Sequence, residues 1–239
     1  MKFHQTDTLL AGLVAAIGMN IRGVSLLVVL LGVSLQANGE DYRKDWLAGV
    51  HGGQASDTAE AGWWQLSVGH RWKQRTHEFR INTGYLRLDD QRAGLADTWL
   101  RGSWLFQRPW LRQWWDLQWR LKLPTARSNN GLGTGSVDNE LRGQSLIQWK
   151  PVLAWYYGGY RIRGHSAEYE LQDGLTWGAG AARQGWSLAY DGRASTFRGQ
   201  PHLHNVSLIR QVRVGQTRLS PYLRWRTNGE WGAGLGLRW

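Results

Sequence analysis

The stretch Trp231-Gly232-Ala233-Gly234-Leu235-Gly236-Leu237-Arg238-Trp239 alternates without a break. Successive side chains of an extended chain point to opposite sides, so Trp231, Ala233, Leu235, Leu237 and Trp239 share one face. Gly232, Gly234, Gly236 and Arg238 share the other. An apolar face with an indole at each end suits a strand that crosses a bilayer, because hydrocarbon meets the middle and each Trp sits at an interface. The stretch predicts a lipid-facing strand.

The same dyad recurs upstream. Trp64, Leu66, Val68 and Trp72 oppose Gln65, Ser67, Gly69 and Arg71, and Trp115, Leu117, Trp119, Leu121 and Leu123 oppose Asp116, Gln118, Arg120 and Lys122. Leu141, Ile147 and Trp149 oppose Glu140, Arg142, Gln144 and Gln148. Tyr156, Tyr160 and Ile162 oppose Tyr157, Arg161 and Arg163, while Leu219, Leu223 and Trp225 oppose Ser220, Arg224 and Arg226. Strands are predicted near 43–53, 62–73, 77–88, 97–107, 112–124, 138–150, 152–163, 170–182, 184–194, 201–213, 216–227 and 230–239. Twelve is an even count, as bacterial barrels have. Most connections after even strands are tight, such as Lys150-Pro151, Arg183-Gln184 and Val214-Gly215. Most after odd strands are longer and polar, with Thr227–Gly229 the exception. The predicted fold is an all-β, antiparallel, up-and-down transmembrane barrel, with both termini periplasmic and the long loops outside.

Composition agrees. The 239 residues include 17 Trp and no Cys, so neither disulfides nor thiolate metal sites contribute. A soluble barrel or sandwich also alternates, but its apolar face would have to pack all those indoles inside while Gly and Arg met water. Residues 1–37 are read as a signal peptide: Arg22 precedes the apolar run Val24–Leu35, and Ala37 precedes polar Asn38-Gly39-Glu40-Asp41. Met19 makes a plausible true start. The run is shorter than the roughly 20 residues of a membrane-spanning helix. Without it, residues 38–239 carry 27 basic and 17 acidic residues. The only way such a chain crosses a bilayer is as a closed barrel, since lipid cannot satisfy an open strand edge. The expected location is the bacterial outer membrane.

If the apolar face meets lipid, the opposite face lines the interior. Its basic positions are Arg71, Arg80, Arg101, Arg120, Lys122, Arg142, Arg161, Arg163, Arg193, Arg213, Arg224, Arg226 and Arg238. Against these stand Asp45, Asp116, Glu140 and Asp191. Guanidinium groups bind carboxylate and phosphate in bidentate fashion, so this lumen predicts preference for anions. The structural alternative is cross-bracing by Arg–acid pairs, which so few acids cannot complete.

The chain's terminal Trp239 resembles the aromatic signature by which the barrel-assembly machinery recognises outer-membrane barrels, where Phe is the commoner residue. A second resemblance lies between strands 5 and 6. Lys122-Leu123-Pro124-Thr125 is followed by Gly131-Leu132-Gly133-Thr134-Gly135-Ser136 and Asp138. This resembles a widespread family of bacterial outer-membrane proteins regarded as transporters, including the group called the MetA pathway of phenol degradation. Ala126 stands where the family has Gly. The resemblance implies passage of small, hydrophobic or aromatic molecules and carries no catalytic residues. The expected function is therefore a channel for small anionic or aromatic solutes. A phosphate-binding reading of Gly131–Ser136 lacks the following Lys and helix.

Two other functions suit such a barrel: a non-conducting structural or adhesive role, and that of a barrel hydrolase. For the hydrolase the candidates are His202, His204 and Ser207, with His165 and Glu168 in a neighbouring loop. His204 and Ser207 are three apart and so face opposite ways on a strand. Metal binding by His202 and His204 lacks a third ligand. No catalytic residue, metal or cofactor is predicted. The expected partners are outer-membrane lipid, lipopolysaccharide, the assembly machinery and a small solute, and not nucleic acid.

Overall fold

A computed structural model of the protein describes residues 43–54, 62–88, 92–108 and 113–239. The predicted signal peptide lies outside the described residues. Fourteen strand segments follow one another: β1 (Arg43–Gln54), β2 (Gly62–Lys73), β3 (His77–Arg87), β4 (Ala93–Leu95), β5 (Thr98–Arg108), β6 (Gln113–Leu123) and β7 (Asp138–Trp149). Then come β8 (Val152–Arg163), β9 (Gly174–Arg183), β10 (Trp186–Arg193), β11 (Leu203–Arg210), β12 (Val212–Val214), β13 (Thr217–Arg226) and β14 (Trp231–Arg238). They make twelve staves, because β4–β5 and β11–β12 are each one stave with an interruption.

Each interruption has a local cause. Between the pairs Asn82↔Trp99 and Tyr85↔Leu95, two residues of β3 face three of its partner, a bulge at Ala96-Asp97. The Ala96 amide donates to the Gly84 carbonyl at 2.9 Å. The β11–β12 break sits opposite Pro221, which has no N–H to give the ladder. Ile209↔Tyr222 and Val212↔Leu219 keep one register on both sides of it. Here a donor is missing and nothing slips.

Every stave pairs antiparallel with its sequence neighbours, and β1 pairs with β14 from Leu47↔Arg238 to Gln54↔Trp231. Beyond that ladder the Trp46 amide donates to the Trp239 carbonyl at 2.9 Å, and the Trp239 amide returns the bond at 3.2 Å. Among the described residues the sheet closes on itself without a free edge, so its strand ladders are paired on both sides apart from the interruptions at Ala96-Asp97 and Pro221. The strands begin and end close to the predicted positions. The eighth stave starts at Gly174 instead of 170, because 170–173 leaves the ladder and makes only the bridge Leu171↔Phe197.

Burial separates the two faces. Trp46, Leu66, Val68, Leu117, Leu141 and Leu188 are exposed. Among the described residues only six hydrophobic side chains are buried, against fifteen polar or charged ones. A soluble fold has the reverse distribution. The exposed apolar belt and the closed ladder make this an outer-membrane barrel. One mouth carries the tight turns and Arg43 and Trp239; the other carries the longer loops.

Candidate functional site

Direct pairing across the strands aligns a single interior row. Asp45 pairs with Arg71, Arg71 with Arg80, Arg80 with Arg101, Arg101 with Arg120, Arg120 with Glu140, Glu140 with Arg161, and Arg161 with Gly174. Asp45 lies near the start of β1 at the turn mouth, whereas Gly174 opens β9 at the loop mouth. The row is therefore a ramp. Strands about 4.8 Å apart and tilted by ~40° lift it roughly 3 Å per step.

The two ends of the ramp are tied by carboxylates. Asp45 accepts from Arg71 through Nε at 2.9 Å and through Nη2. Glu78, an interior acid that the sequence reading omitted, accepts from Arg80 at 3.0 Å and lies 3.6 Å from Arg71. At the other end, buried Glu140 takes Arg142 and Arg161 at 2.6 Å each and Thr176 Oγ1 at 2.9 Å. The middle differs. Among the described residues neither Arg101 nor Arg120 has a carboxylate within ion-pair distance, and the Nε atoms of Arg80, Arg101 and Arg120 are buried without a hydrogen-bond partner. Arg120 donates only to Gln118, at 3.3 Å. Two adjacent guanidinium groups thus keep donor capacity that the protein does not use.

The remaining predicted basic positions divide. Arg163 donates to Gln172 O at 3.3 Å and Thr196 Oγ1 at 3.1 Å, and Arg226 donates to Asn205 Oδ1 at 2.9 Å and to Glu230. The Nε atoms of Arg163 and Arg193 are buried and unpartnered. Arg224 lies over the Trp63 ring at 5.7 Å. Arg238 pairs in register with Leu47 and Arg218. Arg213 belongs to the interior phase but stands exposed at the β12–β13 hairpin, donating to Gly215 O at 3.1 Å.

Of the interior aromatic residues, the alternation pattern singles out Tyr157 alone. Trp63, Trp99, Trp114, Trp155, Tyr157 and Tyr222 alternate with the lipid-facing set and share the interior phase. Several rings lie against a neighbouring glycine. A Cβ at Gly180 would fall 2.3 Å from Trp155, one at Gly178 2.5 Å from Tyr157, and one at Gly234 2.6 Å from Tyr222. Arg142 sits 3.9 Å over the Tyr157 ring and Arg161 5.4 Å over that of Trp99. The Tyr157 hydroxyl donates to Asp191 at 2.5 Å. On β9 to β11 many interior positions are small, among them Gly178, Gly180, Ala182, Ser187, Ala189 and Ser207. That wall faces β2 to β5, three of whose staves carry the ramp's Arg71, Arg80 and Arg101.

The motif between β6 and β7 forms a tied loop. Lys122 Nζ reaches Asp97 and Asp138 at 3.4 Å each and donates to Thr134 Oγ1. Thr134 and Ser136 hydroxyls lie 3.0 Å apart, and Ser136 donates to Asp138 at 2.8 Å. The Ala126 amide donates to Asp97 at 3.2 Å. Asp97, in the bulge between β4 and β5, thus takes both the Lys122 ammonium and the Ala126 amide. Gly131 and Gly135 each have φ 67, which favours glycine. Gly133 is needed for space, since a Cβ there would lie 2.8 Å from Ala126 Cβ. Pro124 and Thr125 close the loop base, where Thr125 donates to Ala96 O at 2.8 Å. Each of these motif residues has a packing or tethering role.

The hydrolase candidates do not assemble. His204 faces outward, its Nδ1 2.6 Å from the Tyr190 hydroxyl, while Ser207 has the interior phase. His202 touches the Trp177 ring, and Glu168 accepts from Ser128 at 3.1 Å. A serine–histidine contact occurs elsewhere, between Ser67 Oγ and His51 Nε2 at 3.0 Å. His51 Nδ1 is bound by Tyr222 and Ser67 Oγ also donates to Gly49 O at 3.3 Å, so the group reads as a strand-to-strand tie.

No family model matches the sequence, and no curated protein matches it. Solved structures do match in fold. The COG4313 outer membrane channel from Pseudomonas putida F1 superposes with TM-score 0.61 at 11% identity, over 84% of this chain and 96% of that one. The KdgM porin does so with TM-score 0.52 at 8% identity, over 81% and 98%. A KdgM porin in complex with disordered oligogalacturonate gives TM-score 0.55, also at 8% identity and the same coverage. These are outer-membrane barrels, and the likeness is one of fold.

Proposed function

We propose that this protein is an outer-membrane channel that passes small anionic solutes along the arginine ramp. The observation that carries the reading is the adjacent pair Arg101 and Arg120, midway up the ramp, whose guanidinium groups have no carboxylate partner among the described residues. In a low-dielectric bore such groups attract anions and repel cations. Acids fix the ramp at both ends, so its middle is held in place and left free to exchange ligands. The Lys122 motif and its resemblance to outer-membrane transporters support the same reading. So does the fold shared with a channel and with a porin that holds an acidic oligosaccharide. The interior rings of Trp155 and Tyr157, seated against Gly180 and Gly178, support a wider form, in which aromatic anions are among the solutes. In this reading residues 1–37 export the chain, Trp239 engages the assembly machinery, and the turn mouth faces the periplasm.

The test is planar-bilayer conductance of the purified protein in a salt gradient. A reversal potential of the sign set by anions is expected, shifting toward zero in Arg101→Gln with Arg120→Gln. Absence of conductance, or cation preference, overturns the reading and leaves a non-conducting barrel.

A further inference from the structure

Two arginines point the other way, toward lipid. Arg183 on β9 and Arg210 on β11 each pair directly with Trp186 on β10, and Trp186 is exposed on the outer face. The three side chains form one outward row, Arg–Trp–Arg, at the turn mouth where the apolar belt ends. The row is held rigidly. Gln184 and Gly185 make a two-residue hairpin with φ 49 and 80, the left-handed pair that a tight turn of this kind needs. Arg210 Nη1 donates to the Gln184 carbonyl at 2.6 Å and its guanidinium lies 5.0 Å over the Trp186 ring. The Gln211 amide donates to the Gly185 carbonyl at 2.6 Å, which ties the hairpin to the third strand. A Cβ at Gly185 would fall 2.7 Å from that Gln211 carbonyl, so this close approach needs glycine.

Arg183 has no hydrogen bond or ion pair among the described residues, and no acid shares the row. Along β9 from Arg183 into the belt, the lipid-facing positions are Ala181 and Ala179. Leu188 and Tyr190 stand on one side of this strip, with Ala154 and Tyr156 on the other. A trough one strand wide therefore leads from two cations into the hydrocarbon.

We propose that this corner is a binding site for an anionic phospholipid. The phosphate sits between Arg183 and Arg210 above the Trp186 indole, and one acyl chain lies in the Ala181–Ala179 trough. Charge complementarity selects the occupant. Two uncompensated guanidinium groups at a membrane edge favour a headgroup with net negative charge over a zwitterionic one. Because Arg210 is already fixed by the hairpin, little side-chain freedom is lost on binding. The site is on the outer wall and does not depend on conduction through the interior.

The experiment reconstitutes the full-length chain in nanodiscs of equal phosphatidylglycerol and phosphatidylcholine, and measures by mass spectrometry which lipids stay bound after detergent exchange. Phosphatidylglycerol should be retained about thirtyfold over phosphatidylcholine, the fold-change that two arginines at about 1 kcal/mol each would give. Arg183→Gln with Arg210→Gln should remove that preference while the barrel keeps its heat-modifiable mobility. Lys44→Gln, an outward basic position on β1 outside the row, should leave it unchanged. Equal retention of the two lipids, or preference that survives in the double variant, overturns the proposal. So does retention of lipopolysaccharide in place of phosphatidylglycerol when both are supplied.

Discussion

His51 Nδ1 and the Tyr222 hydroxyl lie 2.5 Å apart although 171 residues separate them in the chain. They meet across the seam where β14 closes on β1. The Tyr222 ring passes against Gly234 to reach His51, whose Nε2 contacts Ser67 on β2. Four consecutive staves are thereby stitched on the inside, beside the backbone ladder that joins β1 to β14. Removing either end of the stitch, by His51→Ala or Tyr222→Phe, is expected to lower stability by about 1 kcal/mol. The double variant should cost less than the sum of the two. Urea-induced unfolding followed by tryptophan fluorescence in lipid measures both, and full additivity would show that the contact couples nothing.

The ramp predicts opposite consequences for arginines that look alike in sequence. Arg101→Gln removes a charge with no acid partner, so anion preference should fall while unfolding is little changed. Arg161→Gln leaves Glu140 short of a buried partner, and breaking such a pair costs about 3–5 kcal/mol. Arg142 at 2.6 Å from the same carboxylate softens that loss toward the lower figure. Paired conductance and unfolding measurements on the two variants separate the roles.

Gly180→Val places side-chain atoms where Trp155 lies and against the Leu188 carbonyl at 2.7 Å. The ring must lift into the bore. Overpacking of this kind costs about 1–3 kcal/mol, and single-channel conductance should drop with it. Gly158, whose Cβ would meet nothing within 4 Å, is the control, and Gly158→Ala should leave conductance unaltered.

Lys122→Met should release the loop between β6 and β7. Its ammonium joins Asp97, Asp138 and Thr134, and without it two carboxylates face each other at the loop base. Trypsin cleavage after Arg127, slow in the parent chain, should become several-fold faster, as read by peptide mapping. Unchanged cleavage would mean that Pro124, Thr125 and Leu132 hold the loop without it.

Much of this architecture was legible because a strand's period is two and lipid enforces it. Once Leu235 faces outward, Gly234 and Arg238 must face inward, and the same rule assigns Arg101 and Arg120 to the inward phase. What periodicity does not carry is register between strands. Nothing in the alternation sets Arg71 beside Arg80 or Arg80 beside Arg101, because the first alignment follows from the turn 74–76 and the second from the bulge at Ala96-Asp97. The ramp, and the difference between tied Arg161 and untied Arg101, were therefore invisible. The interior rings other than Tyr157 were missed for another reason. Trp63 and Trp64, or Trp114 and Trp115, are adjacent, and alternation alone turns one of each pair inward. The glycines they cover lie on different strands. Glu78 was overlooked because it stands at a strand end, where the pattern is weakest.

The slope of the arginine row has a consequence for motion. Because each step climbs as it goes round, a bound anion that keeps contact with the ramp cannot travel straight down the axis. It turns as it advances, by nearly half a revolution between Arg71 and Arg161. Translation and rotation are geared together, with a hand fixed by the twist of L-residue strands. A solute with one charged end can follow this thread. A rigid one with charges at both ends would have to let go of the wall at every step.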